Sequence, residues 1–172
     1  VAMLIRTSSL LYDDRLRKEC LSIESEGHDV QIRVVERENE SRTGVTDYGI
    51  SYHSYHLRLR NILSSGKGLG LKAIEMYLQM IPGLLRDRPE IVWVHNTAFI
   101  VLVPLLILLR ATGVINQVVW DQHELPPERL LHSSVLRRLY RWVNFACDEI
   151  VVANDERKVF LKERDLVPPE TH

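Results

Sequence analysis

The chain has 172 residues and a formal net charge of -1, and 45% of its residues are hydrophobic while 26% are charged. This composition is that of a globular protein with a buried core, and it excludes a disordered tail. The near-zero charge gives no general attraction to nucleic acid, which we therefore do not expect as a partner.

The first residues predict a strand, a helix and a second strand. Ala2–Arg6 is a short apolar run, and Tyr12–Glu26 has the spacing of a helix. Asp13 is a suitable N-cap for this helix and Gly27 a suitable C-cap. Asp29–Val35 then has the character of a second strand. Because the crossover between such strands is right-handed, we expect the pair to be parallel.

The middle of the chain is less regular. Glu36–Asp47 is charged and predicts a surface loop, whereas Gly49–Leu57 indicates a third strand. Ser64–Gly70 has the composition of a flexible linker, and Leu71–Leu85 that of a helix.

The second half alternates strands and helices. The predicted strands are Ile91–His95, Gln117–Asp121 and Glu149–Ala153. The predicted helices are Thr97–Leu109, which Pro104 bends or opens, Glu128–Cys147, and Asn154–Arg164, which Asn154 caps. Several strands are continuous apolar runs, which is typical of strands covered on both faces. We therefore predict an α/β, Rossmann-like, doubly wound and mostly parallel sheet with helices on both faces, as one domain over residues 1–172.

Ligands of such sheets bind at the carboxyl ends of the strands. These ends carry polar segments in this sequence: Thr7–Ser9, His95–Asn96, Asp121–Glu124 and Asn154–Asp155. Helix capping and loop hydrogen bonding are the ordinary explanation of such residues. Two successive strand ends with a histidine each favour a binding site instead.

Other motifs of small-molecule chemistry are absent. The glycines near Lys67 do not have the spacing of a phosphate-binding loop or a dinucleotide fold. His53 and His56 have no cysteine nearby, so zinc is not expected, and no nucleophile elbow is present. We therefore expect neither a metal nor a resident cofactor.

Four segments, taken together, resemble family 4 glycosyltransferases of the GT-B fold. Tyr12–Val30 resembles the family's first loop and helix, and Arg88–Asn96 is similar to its R-P-D-V-V-H-A-H-D strand. Val119–Glu128 is similar to its V-Y-D-x-H-E-x-x-P-E segment, and Asp148–Asp155 to a later strand and turn. The segments occur in the family's order and span almost the whole chain.

The resemblance implies the N-terminal, acceptor-binding half of a retaining glycosyltransferase, with the C-terminal, donor-binding domain absent. A nucleotide sugar would bind mainly to that missing domain, and no metal would be needed. By match to the family, His123 is the catalytic residue that reaches the donor sugar. The expected acceptor-binding residues are Thr7, Ser8, Asp13, Arg15, His95, Asn96 and Glu124.

Departures from the family pattern leave other functions open. Asp14 stands where relatives have proline, and Thr7–Ser9 replaces a glycine pair that lies near the donor phosphates in relatives. One alternative is another GT-B enzyme, such as a sugar-nucleotide epimerase. The other is a non-catalytic α/β module that partners a catalytic subunit.

Two surfaces bear on the acceptor and on location. Between Tyr48 and Ile74 the sequence has no acidic residue but several basic ones and tyrosines, which suits a phosphorylated or saccharide acceptor. Arg137, Arg138 and Arg141 share one face of a predicted helix, opposite an apolar face that includes Val135 and Trp142. Either surface is also compatible with ordinary solvation. The second suggests peripheral contact with an anionic membrane.

The expected location is the cytoplasm, with any membrane contact at the inner face. Cys20 and Cys147 lack metal-ligand spacing and indicate free thiols of a reducing compartment. We see no basic and apolar leader. The most apolar stretch, Ala98–Leu109, is much shorter than the about 20 residues that cross a bilayer.

Overall fold

A computed structural model describes residues 1–7, 10–35, 41–62 and 68–171. The chain separates into two compact units, Val1–Glu90 and Ile91–His172, which are described one at a time. Whether the whole chain behaves as one domain stays a prediction.

The first unit is built on four strands. Its strands are β1 (Ala2–Arg6), β2 (Gln31–Val35), β3 (Arg42–Val45) and β4 (Ser51–Ser54), and its helices are α1 (Asp14–Ser25), α2 (Arg58–Ile62) and α3 (Leu69–Asp87), with a short 3-10 helix at Leu10–Tyr12. The strand order is β3-β4-β2-β1. β2 is parallel to both β1 and β4, whereas β3 is antiparallel to β4.

The expected βαβ unit is confirmed, although α1 begins at Asp14 and not at Tyr12, and β2 begins at Gln31 and not at Asp29. The Asp13 carboxylate accepts a hydrogen bond from the Leu16 amide at 3.2 Å and so caps α1. Gly27, just beyond α1, has φ +87°, a conformation that costs glycine little. Leu16 and Cys20 on α1 are buried with the apolar residues of β1 and β2, which form the core of this unit.

Three expectations for residues 36–70 need correction. The predicted loop Glu36–Asp47 contains β3, because Arg42–Val45 pairs with β4 along its whole length. Arg58–Ile62 forms a helix that was not predicted. α3 begins at Leu69, inside the predicted linker, after Gly68 in a left-handed conformation; residues 64–67 of that linker lie outside the described residues.

The second unit has three parallel strands in the order β5-β6-β7. The strands are β5 (Ile91–Val94), β6 (Gln117–Gln122) and β7 (Glu149–Val152), and the helices are α4 (Val103–Ala111), α5 (Glu128–His132), α6 (Ser134–Ala146) and α7 (Asp155–Glu163). Pro104 lies in the first turn of α4, where its missing amide proton costs no hydrogen bond. The Asn154 side chain accepts from the Arg157 amide at 2.9 Å, which confirms the predicted cap of α7.

The long helix predicted over Glu128–Cys147 is wrong, because it is divided into α5 and α6. Ser133 has an extended backbone, and its hydroxyl accepts from the Leu136 amide, so it starts a new helix. The apolar face predicted for this helix is also only partly buried. Val135 is 72% exposed and Trp142 is 47% exposed.

The α/β, mostly parallel, Rossmann-like fold class is confirmed. Tyr140, Ile150, Leu161 and Leu166 form a buried cluster that packs α6, α7 and β7 together. Cys20 and Cys147 are free thiols. In the part of the chain that the structure describes, no helix combines the length and the apolarity that a membrane crossing requires.

Candidate functional site

The carboxyl ends of β5 and β6 bring two polar residues together. In this parallel pair Val94 lies beside Trp120, so the next residues of the two strands, His95 and Asp121, also become neighbours. Their side chains are 0% and 4% exposed. His95 Nδ1 and Asp121 Oδ2 are 3.0 Å apart, which is a hydrogen-bond distance.

His123 completes a cluster of three titratable side chains. It follows Asp121 by two residues and therefore lies on the same side of the extended chain. Its Nδ1 is 3.9 Å from Asp121 Oδ1, and its side chain is 20% exposed. Asn96 Nδ2 lies 3.4 Å from His123 Nε2. The imidazole of His123 is thus held between an acidic oxygen and an amide, with part of its ring open to solvent.

The backbone around this cluster is fixed from two directions. Arg157, in the first turns of α7, donates from its guanidinium to the carbonyl oxygen of His123. Gln122 points to the other side of the strand, where it accepts from the Tyr140 hydroxyl and donates to Asn144. Asn144 donates in turn to the Leu166 carbonyl at 2.8 Å. Because all three side chains are buried and hydrogen-bonded, they make the end of β6 a rigid support.

The same three side chains have the chemistry of metal ligands. The candidate ligand atoms of His95, Asp121 and His123 all lie within 4.8 Å of one another. Imidazole nitrogens and a carboxylate suit a divalent transition metal. The expectation of a metal-independent protein stays a prediction.

The structure brings only some of the predicted site residues together. His95, Asn96 and His123 meet in the second unit, and Glu124 follows His123 as an exposed residue. His95 is fully buried, so its ring presents no surface to an acceptor in this structure. The expected contact between His95 and the acceptor stays a prediction, and the complete burial of the ring argues against it.

The other predicted residues belong to the first unit. Thr7 is half-buried after β1, and the Asp13 carboxylate caps α1. Arg15 is paired with Glu19 on the same helix at 3.3 Å. Ser8 lies outside the described residues.

Two residues next to His123 were not among those predicted: Asp121, which belongs to the cluster, and Arg157, which lies outside it. Asp121 stands two positions before His123 in the same strand-end segment, and that spacing was the signal available in the sequence. Arg157 is separated from His123 by 34 positions, so no local pattern could have indicated its contact with the His123 carbonyl.

The first unit contains a separate pocket of about 990 Å³ at the carboxyl end of β4. Its polar wall includes His53, Tyr55, His56 and Arg58, while Leu71, Ile74 and Leu78 of α3 contribute apolar surface. Glu75 stabilises the wall, because its carboxylate accepts from the amides of Arg58 and Leu59 at 2.6 and 3.0 Å. Burial, and then the neighbouring Arg33 and Arg86, lower the pKa of His53, which favours its neutral form.

Comparison with known proteins identifies a fold. No protein-family model matches the sequence, and no curated protein matches it significantly. A sucrose-phosphate synthase from Thermosynechococcus elongatus has a similar structure, with a TM-score of 0.65 at 9% identity over 94% of this chain and 44% of the synthase chain. A second structure of that organism's synthase gives a TM-score of 0.60 at 7% identity over 94% of this chain and 81% of the other.

The likeness therefore concerns architecture. The chain spans less than half the length of the first synthase chain. At such low identity the shared property is the fold, a Rossmann-like half of the GT-B type. The low identity gives no information on the donor, the acceptor or the mechanism.

Proposed function

We propose that the chain is the acceptor-binding N-terminal domain of a retaining glycosyltransferase that transfers a sugar from a nucleotide sugar to a saccharide or lipid-linked acceptor. The donor would bind mainly to a C-terminal domain that is not part of these residues. The protein would work in the cytoplasm.

The observation that carries this proposal is the arrangement of His123. Its ring is partly open to solvent at the carboxyl end of β6, where ligands of parallel sheets bind, and its backbone is anchored by Arg157. A neutral imidazole in that position can accept a hydrogen bond from a sugar hydroxyl or stabilise developing charge. Retaining transfer passes through an oxocarbenium-like state, for which such a group is useful.

The pocket of the first unit supports the acceptor side of the proposal. It opens beside Tyr55 and His56, which follow β4, and it combines hydrogen-bonding side chains with exposed apolar residues of α3. Such a surface suits a saccharide, whose faces are apolar and whose edges carry hydroxyls. The segment predicted from the sequence as an acceptor surface contributes Tyr55 and Arg58 to it.

A second surface supports contact with the inner face of a membrane. Trp142 and Phe145 of α6 are 47% and 44% exposed. The exposed Arg138 lies one turn before Trp142 on the same face of α6, and not opposite it as predicted. Aromatic and basic side chains together favour an anionic lipid surface. Co-sedimentation with anionic vesicles, compared with neutral vesicles, tests this part of the proposal. In the double variant Trp142→Ser, Phe145→Ser, binding to anionic vesicles should fall to the level seen with neutral vesicles.

The test of the main proposal uses a protein that contains both domains. Incubation with a set of nucleotide sugars and with saccharide and lipid-linked acceptors should give a glycoside in which the anomeric configuration of the donor is retained. NMR of the purified 172-residue chain should show acceptor-dependent shifts of His53 or His56. Conversion of the nucleotide sugar into its epimer without any glycoside would favour the epimerase instead. Binding of an acceptor by the chain, with no glycoside formed by the two-domain protein, would favour the binding module.

A further inference from the structure

The Asp121 carboxylate lies between two imidazoles at the end of β6. One oxygen is 3.0 Å from His95 Nδ1 and the other is 3.9 Å from His123 Nδ1. Asp121 is 4% exposed, so water has little access to compete for either oxygen. Both imidazoles therefore present the same ring nitrogen to one carboxylate.

These contacts determine where the ring protons lie. An ionised carboxylate only accepts hydrogen bonds, so His95 must carry a proton on Nδ1 to bind it. For His123, the amide nitrogen of Asn96 lies 3.4 Å from Nε2. That nitrogen donates, so Nε2 must supply a lone pair and the proton must be on Nδ1. The two neighbours of His123 thus favour the same tautomer.

We propose that Asp121 is a positioning residue for His123, because it holds the imidazole as the Nδ1–H tautomer and directs the Nε2 lone pair outward. His95 has a supporting role, since it binds the other oxygen of Asp121 and prevents the carboxylate from turning away. Nε2 has one lone pair, so a ligand hydroxyl that donates to it, such as a sugar hydroxyl, would take the place of the Asn96 amide. This last step rests on the proposed function, whereas the tautomer does not.

The 3.9 Å separation is longer than a hydrogen bond, so the His123 ring must move slightly before it donates to Asp121. Hydrogen bonds around functional histidines are often long before substrate binds and shorten in the complex. His123 is less packed than His95, with 20% of its side chain exposed against none. A small rotation of its ring would bring Nδ1 within hydrogen-bond distance of Asp121.

The test is the nitrogen chemical shift of His123 in the 15N-labelled 172-residue chain, at a pH where the ring is neutral. The wild type should show a protonated Nδ1 and an unprotonated Nε2. Asp121→Asn should weaken this preference and raise the Nε2–H fraction measurably, because the orienting charge is gone while the Asn96 amide remains. Glu124→Gln, which removes a neighbouring exposed carboxylate, should leave the tautomer unchanged.

Two results would overturn the proposal. One is a wild-type His123 that is mainly Nε2–H, a measurement that needs no variant and so does not depend on whether Asp121→Asn folds. The other is 1:1 binding of Zn²⁺ or Mn²⁺ by the wild type, lost in Asp121→Asn, which would make the three residues a metal site.

The functional consequence is measured separately in the two-domain protein. Asp121→Asn should lower kcat by up to about 10²-fold, no more than removal of His123, with little change in the acceptor KM. A correct tautomer in a protein without transferase activity would leave the positioning role standing and remove the proposed function. If His123 is mainly Nε2–H and the two-domain protein is an active transferase, the proposed function stands and the positioning role falls.

Discussion

The guanidinium of Arg157 donates a hydrogen bond to the backbone carbonyl of His123. It ties the first turns of α7 to the segment after β6 that carries the candidate catalytic residue. A charged donor on a carbonyl is a stronger contact than a neutral hydrogen bond. The orientation of His123 therefore depends on a residue far away in the sequence.

Arg157→Met should remove that contact while keeping the apolar stem of the side chain. We expect the free energy of unfolding to fall by about 1 kcal/mol, measured by urea denaturation. Lys158→Met is the matched control on the same helix, because the contact described for the Lys158 side chain is a 3.9 Å pair with exposed Asp155. Equal losses in the two variants would show that the Arg157 contact does not stabilise the loop.

His123→Ala should separate function from stability. If the imidazole meets the donor sugar more strongly in the transition state, turnover of the two-domain protein should fall by roughly 10²-fold or more. Folding should change little, because a partly open side chain at a loop contributes little packing. A variant that melts several degrees early and still transfers sugar at the wild-type rate would remove His123 from the active site.

The 172-residue chain alone should neither transfer sugar nor bind nucleotide diphosphates well. The proposed donor-binding wall is not part of it, and its sequence has no phosphate-binding glycine motif. Calorimetry should give no dissociation constant tighter than about 1 mM, equivalent to about -4 kcal/mol. A micromolar constant would indicate a nucleotide-binding domain instead.

Gly83→Ala should destabilise the first unit, although alanine is the better helix former. A Cβ at Gly83 would collide with the guanidinium of Arg33, which is buried and donates to the Tyr55 hydroxyl at 2.7 Å. Displacing that group should cost about 1–3 kcal/mol, more than the up to about 1 kcal/mol that alanine gains in a helix. Among the residues that the structure describes, a Cβ at Gly70 on the same helix meets no atom within 4 Å, so Gly70→Ala should be neutral or slightly stabilising. Thermal unfolding of both variants tests the difference.

Asp87 should make the first unit sensitive to acid. The pKa of Asp87 lies below its ordinary 3.8, chiefly because Arg86 donates a hydrogen bond to the carboxylate. Burial acts in the opposite direction, and the charge of Arg33 lowers the pKa further. A carboxyl whose pKa is depressed by folding stabilises the protein above its unfolded pKa, and this contribution is lost as the pH falls through the folded pKa.

Asp87→Asn tests that linkage. Asp87 is 29% exposed, so we expect a loss of about 1–3 kcal/mol at pH 7, less than for a fully buried pair. The difference from wild type should shrink below about pH 4 and disappear at lower pH. Glu90→Gln, at an exposed carboxylate nearby, serves as the control. A difference that stays constant between pH 7 and pH 2 would contradict the role of this ion pair.

Local signals in the sequence predicted much of the secondary structure. β1 has the predicted bounds, and the caps at Asp13 and Asn154 form as expected, because a cap depends on residues within one helical turn. β3 was missed because its Arg-Thr-Gly-Val sequence has little strand character of its own. It is a strand because β4, which follows after the short turn over residues 46–50, pairs with it along its whole length.

The sequence by itself determined the alternation of apolar runs and helices, and therefore an α/β fold with polar residues at the strand ends. It also indicated His123 as a candidate catalytic residue, through a contiguous segment that resembles a family motif. Only the tertiary structure decided that Asp121 lies between His95 and His123, because that depends on the parallel register of β5 and β6. The register of β5 and β6 is set by the packing of whole elements. That packing places two imidazoles beside the buried Asp121 carboxylate, and no local pattern in the sequence specifies this.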